Sequence, residues 1–312
     1  MAPPLSHAFP GTEYAPLCAG PDRTPRLPAQ PLPKGAWDCH AHICGPAREF
    51  AYAPERIYTP PDALLPDYLS MLSTLGIDRA VLVQPSVYGT DNTVLERALA
   101  ALGDGARGVC VVEEGVSVSE LERLHALGVR GVRLNLVDVA DPTGELPLDR
   151  ARALARRIAP LGWHVEFLVH VDDVPDLDRR FADFPTDIVF GHLGYVHRDR
   201  GPDDPGFRAL LRLMAAGRTW VKLTGPYRIS AEGPPYADAE PFAEALFEAA
   251  PGRLVWGSDW PHVMVEGEMP NDGDLGDILR KWAGDEARLR QVLVDNPAAL
   301  YGPGPGKEAP AP

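Results

Sequence analysis

Eight short apolar runs, each followed by a stretch with helical periodicity, constrain the fold of this chain more than any other feature. Runs that are apolar nearly throughout are typical of parallel strands covered on both faces. The runs are AWDCHAHI, RAVLVQP, RGVCVV, VRGVRLNL, HVEFLVH, DIVFGHLG, WVKLTG and LVWGSDWP. Eight alternations of strand and helix match a (β/α)8 barrel, which typically takes about 250 residues.

The segments between the runs have apolar residues three and four positions apart, as amphipathic helices do. In DALLPDYLSMLSTLGI, Gly76 is placed to end the helix, and Ser117 or Ser119 is placed to cap a later one. The alternative fold, an open doubly wound sheet, would usually show a glycine-rich phosphate loop after its first strand. The first run ends in histidines, and no GxGxxG or Walker motif follows it. We therefore predict a single-domain α/β protein, a (β/α)8 TIM barrel.

Proline-rich segments flank the predicted barrel. Nine prolines fall in the first 34 residues, and the last ten residues read PGPGKEAPAP. Such compositions rarely form a packed core. We predict a poorly structured arm over residues 1–35, the barrel over 36–302 and a flexible tail over 303–312.

Charge and composition exclude several classes of function. The formal net charge of -14 argues against a nucleic-acid partner, because phosphate backbones need a basic surface. No apolar run reaches the ~18 residues of a membrane-spanning helix, and the N-terminus lacks the pattern of a secretory signal. Four cysteines without disulfide or zinc-ribbon spacing suit a reducing cytoplasm. These features predict a cytoplasmic protein, and they leave its oligomeric state open.

Polar residues at the ends of the runs are the main indication of function. Active sites of (β/α)8 enzymes lie at the carboxyl ends of the strands. His40 and His42 end the first run, and alternate residues of a strand face the same side. His192 ends the sixth run and Asp259 follows the eighth. The alternatives are a core histidine bonded to a backbone carbonyl for His192 and a helix N-cap for Asp259.

Other polar residues could bind a substrate. Arg133 lies within an apolar strand, where an unpaired charge would cost several kcal/mol, so a carboxylate from the protein or a substrate must meet it. Glu166 in the fifth run is an interior carboxylate that could pair with an arginine. Arg228, Ser86 and His262 are further candidates for the site. If they have no role in it, Arg228 would be an exposed loop residue, Ser86 a turn former and His262 a surface residue.

Seven motifs, taken together and in order from 37 to 302, resemble the amidohydrolase superfamily. They are closest to its branch of lactone hydrolases of the 2-pyrone-4,6-dicarboxylate lactonase type. The motifs are DCHAHICGP, VLVQPSVYGTDN, RGVRLNL, FGHLGY, VKLTGPYRIS, VWGSDWPH and DNPAALYG. The resemblance implies a barrel of the amidohydrolase type.

The resemblance also implies roles for the matching residues. In metal-dependent members, His40, His42, His192 and Asp259 would hold a divalent ion, commonly zinc. In the lactonase branch, the same histidines polarise the lactone carbonyl and the aspartate activates water without a metal. The substrate contacts that the branch implies are Tyr58, Ser86, Arg133 and Arg228. We add Tyr195 to this predicted set.

This sequence departs from the branch at three positions. Val139 and Tyr195 stand where arginines are expected, and Leu168 stands where a tyrosine is expected. Fewer cations favour a substrate with one carboxylate over a dicarboxylate.

The superfamily's binuclear centres require a lysine on the fourth strand and a further histidine on the fifth. The fourth run has no lysine, and His170, late in the fifth run, is the sole candidate for that histidine. We expect either a metal-free site or a single zinc held by His40, His42, His192 and Asp259.

The predicted reaction is hydrolysis of a small carboxylated lactone. Asp259 would accept a proton from water, and the three histidines or a metal would stabilise the developing oxyanion. Arg133 and Arg228 would bind the substrate carboxylate. The alternatives are a metal-dependent decarboxylase of the aminocarboxymuconate type, a sugar-acid lactone isomerase and a non-catalytic ligand-binding barrel.

Overall fold

The computed structural model describes residues 15–138 and 146–302, and it contains one eight-stranded sheet in which every neighbouring pair is parallel. The strands follow one another in chain order, so the (β/α)8 barrel is confirmed and the doubly wound sheet is excluded. Each predicted run contains one strand, with ends that differ by a few residues. The strands are β1 Trp37–Ala41, β2 Arg79–Val83, β3 Ala106–Cys110, β4 Val129–Asn135, β5 His164–Leu168, β6 Ile188–Phe190, β7 Thr219–Thr224 and β8 Leu254–Gly257.

Helices follow most strands and cover the outside of the barrel. They are α1 Leu65–Leu75, α2 Thr93–Leu102, α3 Val118–Ala126, α4 Leu148–Ile158, α5 Leu177–Arg180, α6 Pro205–Ala215, α7 Glu240–Ala249, α8 Asp272–Ala283, α9 Glu286–Arg290 and α10 Asn296–Tyr301. Gly76 ends α1 in the left-handed conformation, at φ 72°, as predicted. Ser117 rather than Ser119 caps α3, because its side chain accepts a hydrogen bond from the backbone N–H of Glu120.

The first and last strands close the barrel. The backbone N–H of Asp259 donates to the carbonyl of His40, and that of His42 donates to the carbonyl of Trp260, each at 2.8 Å. The buried carboxylate of Asp38 on β1 also accepts hydrogen bonds from the backbone N–H and the hydroxyl of Ser258. This closure brings the ends of β1 and β8 together.

The register of β1 against β2 shifts by one residue between Asp38 and Ala41. Trp37 and Cys39 belong to the apolar cluster inside the barrel, whereas His40 contacts polar groups there. Such a bulge lets a strand change which alternate residues face inward. It explains how β1 contributes first apolar side chains and then two histidines to the interior.

Helix α10 closes the floor of the barrel. Tyr301 in α10 stacks on Trp37, with ring centroids 6.3 Å apart, and its ring meets the edge of His164, with centroids 5.4 Å apart. His164, the first residue of β5, therefore lies at the floor, far from the carboxyl ends of the strands.

Residues 15–35, the part of the predicted arm that the structure describes, run along the barrel. The backbone N–H of Cys18 donates to the carbonyl of Thr59 at 2.8 Å, Arg23 pairs with Asp67 at 2.6 Å, and Arg26 pairs with Asp274. Residues 1–14, 139–145 and 303–312 lie outside the described residues. The boundaries drawn from proline content stay a prediction.

No helix in the described ranges is both long enough and apolar enough to cross a membrane.

Candidate active site

Three of the four predicted central residues converge where β1 and β8 end. One ring nitrogen each of His40 and His42 and one carboxylate oxygen of Asp259 lie within 4.8 Å of one another, and all three residues are buried. His192 follows β6, and its ring centroid lies 5.3 Å from that of His40. The barrel thus joins residues that are more than 200 positions apart in the chain.

The two oxygens of Asp259 have different surroundings. Oδ2 accepts hydrogen bonds from the hydroxyl of Tyr227 at 2.6 Å and from Nε of Arg228 at 2.7 Å. Oδ1 has no hydrogen-bond partner among the described residues and lies 3.6 Å from Nε2 of His40, which also lacks one. Burial alone would raise the pKa of Asp259, but the charge of Arg228 holds it well below its usual value. The carboxylate is therefore ionised, with one oxygen fixed and the other available.

A chain of buried groups continues behind Asp259. The hydroxyl of Tyr227 lies 3.0 Å from Nδ1 of His262, and Nε2 of His262 lies 3.1 Å from a carboxylate oxygen of Asp272. His262 and Asp272 are fully buried, so the structure excludes the surface position considered for His262. Tyr227 and Asp272 were not predicted, and only the motif GSDWPH hinted at His262. Buried hydrogen-bond chains of this kind hold a carboxylate in one orientation.

The hydrogen bonds of His42 and His192 fix their protonation. Nδ1 of His42 lies 2.7 Å from the carbonyl of Val83, and Nδ1 of His192 lies 3.2 Å from the carbonyl of Thr224. Burial lowers the pKa of His42 to about 4 and that of His192 to about 3, so both rings are neutral near pH ~7. Because a carbonyl can only accept, Nδ1 carries the proton and Nε2 offers a lone pair. Nε2 of His42 and Nε2 of His192 therefore cannot donate to an oxyanion, and of the three histidines only His40 could do so.

A buried ion pair lies beneath His40. Nζ of Lys222 on β7 lies 2.6 Å from Oε2 of Glu166 on β5 and 3.1 Å from Nδ1 of His40. Although burial alone would raise it, the charge of Lys222 holds the pKa of Glu166 well below its usual value. Glu166 thus pairs with a lysine rather than with an arginine. Sequence reasoning assigned no role to Lys222, although a lysine inside the apolar run WVKLTG was a visible signal.

Arg133 on β4 is the buried cation of this site that lacks an acidic partner. It is 5% exposed, and its Nη1 donates to the carbonyl of Gln84 at 3.2 Å. Its Nε has no hydrogen-bond partner, and no carboxylate of the described ranges lies within 4.0 Å of its guanidinium. An unpaired buried guanidinium is costly, so Arg133 is a candidate binding group for an anion.

The other predicted substrate contacts are Tyr58, Ser86, Arg228 and Tyr195, and each has a partner within the site. The hydroxyl of Ser86, just after β2, donates to the hydroxyl of buried Tyr58 at 3.5 Å. Arg228 is occupied by Asp259 and by the carbonyl of Val263, to which its Nη2 donates at 3.2 Å. The ring of Tyr195 lies beside His192, with centroids 5.3 Å apart. Val139 lies outside the described residues.

Several site residues have left-handed backbone conformations. φ is 52° at His192, 50° at Tyr195, 67° at Asp259 and 58° at His262. Non-glycine residues adopt this region at a cost of order 1–3 kcal/mol and cluster at functional sites when they do. The strained turns after β6 and β8 therefore mark this end of the barrel as a candidate functional site.

His170 lies apart from the central cluster. It groups with Asp172 and His197, and its ring stacks on that of His197, with centroids 3.9 Å apart. It therefore does not supply a fifth-strand ligand next to His40 and His42.

The donor types at the central cluster suit a single divalent ion. His40, His42 and Asp259 bring two imidazoles and a carboxylate within reach of one point, a common set for zinc. His40 is unusual for such a set, because zinc-bound histidines normally donate their other N–H to an acceptor. Here that other nitrogen faces the ammonium of Lys222.

Comparison with known proteins places the chain in a family. A model of the amidohydrolase family matches residues 37–302. A 2-pyrone-4,6-dicarboxylate hydrolase of Comamonas testosteroni is 39% identical, with 89% of this chain and 94% of that protein covered. A 4-sulfomuconolactone hydrolase of Rhizobium radiobacter is also 39% identical, with 92% and 96% covered.

A solved structure agrees with this placement. The putative 2-pyrone-4,6-dicarboxylic acid hydrolase of Pseudomonas putida superposes with a TM-score of 0.74 at 38% identity, over 87% of this chain and 98% of that one. The match to the family model covers most of this chain, and the relatives are similar over nearly their whole length. The chain therefore belongs to the amidohydrolase family, as its motifs predicted.

Proposed function

We propose that this chain hydrolyses the cyclic ester of a small carboxylated lactone. The observation that carries the proposal is a buried Arg133, with no carboxylate partner among the described residues, in the same barrel mouth as an ionised Asp259 with one available oxygen. Two relatives that are 39% identical, named as hydrolases of a pyrone dicarboxylate and of a muconolactone, support the reaction class.

Asp259 acts as the general base. Its Oδ1 accepts a proton from water while Tyr227 and Arg228 hold Oδ2, so the base keeps one orientation throughout. The neutral His42 and His192 offer acceptor nitrogens that orient the attacking water. The water oxygen adds to the lactone carbonyl, the ring C–O bond then breaks, and the proton on Asp259 passes to the departing alkoxide or enolate oxygen.

The carbonyl oxygen of the lactone accepts a hydrogen bond from Nε2 of His40. This nitrogen faces Asp259 and has no partner among the described residues. A donor aimed at developing charge typically contributes about 10²–10³-fold in rate. If a divalent ion is bound, His40, His42 and Asp259 would hold it beside His192, and it would supply Lewis-acid polarisation. We favour the metal-free form because of the ammonium next to His40.

Arg133 binds the substrate carboxylate, with Tyr58 and Ser86 nearby in the segments that follow β1 and β2. Arg228 instead holds Asp259, so among the described residues of the site Arg133 is the cation that remains for an anionic group. A single carboxylate on the substrate follows. The net charge of -14 disfavours nucleic acid, and four free thiols suit the predicted cytoplasmic location.

A panel of lactones with none, one or two carboxylates tests this function, with protein that is either exhaustively chelated or zinc-loaded. We expect ring opening of monocarboxylated lactones by both forms. Asp259→Asn should remove nearly all turnover and keep the fold, whereas Asp178→Asn, at a surface ion pair with Arg212, should keep full activity.

Four results would contradict the proposal or a part of it. Release of carbon dioxide would indicate the decarboxylase. Conversion of one lactone into another would indicate the isomerase, and binding without turnover would indicate a non-catalytic barrel. Full rate in Asp259→Asn would remove Asp259 as the base.

A further inference from the structure

Lys222 is fully buried inside the barrel, between Glu166 on β5 and His40 on β1. We propose that Lys222 is a positioning residue that fixes the tautomer of His40, so that Nε2 presents an N–H to the reacting carbonyl. The inference rests on the proposed lactone hydrolysis, which it deepens.

The direction of the hydrogen bond follows from the chemistry of the two groups. A lysine ammonium has three donors and no acceptor, so its 3.1 Å contact with His40 requires Nδ1 to accept. A neutral imidazole carries one proton, which then sits on Nε2. Burial and the charge of Lys222 hold the pKa of His40 well below its usual value, in agreement with a neutral ring.

Glu166 is the competing partner of the same nitrogen. Its Oε1 lies 3.4 Å from Nδ1 of His40, farther than Lys222, and its Oε2 is 2.6 Å from the ammonium. If Glu166 accepted from Nδ1 instead, the proton of His40 would sit on Nδ1 and Nε2 would be a lone pair. The shorter contact favours Lys222 as donor, with Glu166 holding the ammonium in place.

This tautomer separates His40 from the other two histidines. His42 and His192 donate from Nδ1 to the carbonyls of Val83 and Thr224, which leaves lone pairs on Nε2. His40 is the one whose available nitrogen carries a proton, and that nitrogen lies 3.6 Å from Oδ1 of Asp259. A base and a donor thus face each other across the gap in which the lactone carbonyl and water react.

The same tautomer disfavours a metal at this point. A metal ligand must offer a lone pair, and its other nitrogen normally donates to an acceptor. Lys222 reverses that arrangement for His40. Binding of zinc through Nε2 would require the proton to move and the ammonium to lose its contact with Nδ1.

Nitrogen-15 NMR of the imidazole rings reads the tautomer in the resting protein without any substrate. The chain has nine histidines, and the loss of one set of resonances in His40→Gln assigns His40. We expect Nδ1 to have the shift of an acceptor nitrogen and Nε2 that of a protonated one. A protonated Nδ1 on His40 would overturn the inference.

A double variant, Lys222→Met with Glu166→Gln, removes both charges together and keeps the buried volume. We expect its kcat to fall about 10²-fold with KM nearly unchanged, as for loss of one oxyanion donor. Zinc affinity, measured by titration of the chelated protein, should rise at least about tenfold. Unchanged kcat together with unchanged zinc affinity would overturn the inference.

The NMR result on the wild-type protein decides the question even if the double variant fails to fold. It also separates this inference from the proposed function. A protein that opens lactones but carries the proton on Nδ1 of His40 would refute the tautomer and leave the hydrolase. A protein with the proton on Nε2 that opens no lactone would refute the hydrolase and leave the tautomer.

Discussion

Replacing Arg133 with methionine should stabilise the free protein and weaken its activity toward anionic substrates. Arg133 is 5% exposed, its Nε has no partner, and no described carboxylate lies within ion-pair distance. A buried charge costs several kcal/mol unless it is paired, and hydrophobic replacements of similar volume can stabilise by about 1–4 kcal/mol. Because one bond to the carbonyl of Gln84 is lost, we expect a gain of about 1–3 kcal/mol in the free energy of unfolding.

The kinetic effect should have the opposite sign. Breaking a buried ion pair by removing one partner costs about 3–5 kcal/mol, which corresponds to about 10²–10⁴-fold in kcat/KM. The loss should fall on a carboxylated lactone and spare the same ring without its carboxylate. Steady-state kinetics on both lactones, with thermal unfolding in parallel, measures the two effects on one variant.

Arg130→Met is the matched control. Arg130 lies on the same strand, is partly exposed, and donates to the carbonyls of His125 and Val129. We expect it to change neither substrate's kcat/KM. If Arg133→Met slowed both lactones equally, or unfolded more easily than the wild type, then Arg133 would be a structural residue and the reasoning would be refuted.

Two further predictions concern the scaffold. An added Cβ at Gly257 would lie 2.5 Å from the backbone nitrogen of His40, so Gly257→Ala should lower the free energy of unfolding by about 1–3 kcal/mol and displace His40. Gly105→Ala is the control: an added Cβ there would have nothing within 4 Å, and neither the unfolding nor the rate should change. Burial lowers the pKa of His164 to about 4, with the charges of Glu166, Lys222 and Asp187 acting on it. An unfolded histidine has a pKa near ~6.5, so below that pH the unfolded chain binds a proton at this residue that the folded protein does not. The free energy of unfolding therefore falls as the pH falls, by ~2 kcal/mol at pH ~5. His164→Phe should remove that part of the acid dependence in chemical unfolding from pH ~8 to ~5, and an unchanged slope would contradict it.

The order and type of elements could be predicted from the sequence because the signals are local. Near-continuous apolar runs indicate buried parallel strands, and Gly76 and Ser117 lie where helices end and begin. The alternation of His40 and His42 also indicated a shared face. Even so, the bulge in β1 that sends Cys39 and His40 both inward depends on pairing with β2, which no local pattern encodes.

Partner choice inside the barrel was decided by the tertiary structure. The sequence showed that Arg133 needed a carboxylate and that Glu166 was available. Closure of the sheet instead places Lys222 next to Glu166, and Arg133 has no carboxylate partner among the described residues. In the same way, the hydrogen bonds of Tyr227 with Asp259 and His262 join the ends of β7 and β8, and no local sequence pattern indicates these contacts.

By itself, the sequence determined the barrel, the family and the set of polar groups at its mouth, because periodicity and motif order are properties of the chain. Only the folded structure decided which groups face the ring nitrogens of His40, His42 and His192. Hydrogen-bond direction depends on what lies within about 3 Å of each nitrogen. For His40 that neighbour is a lysine 182 positions away along the chain.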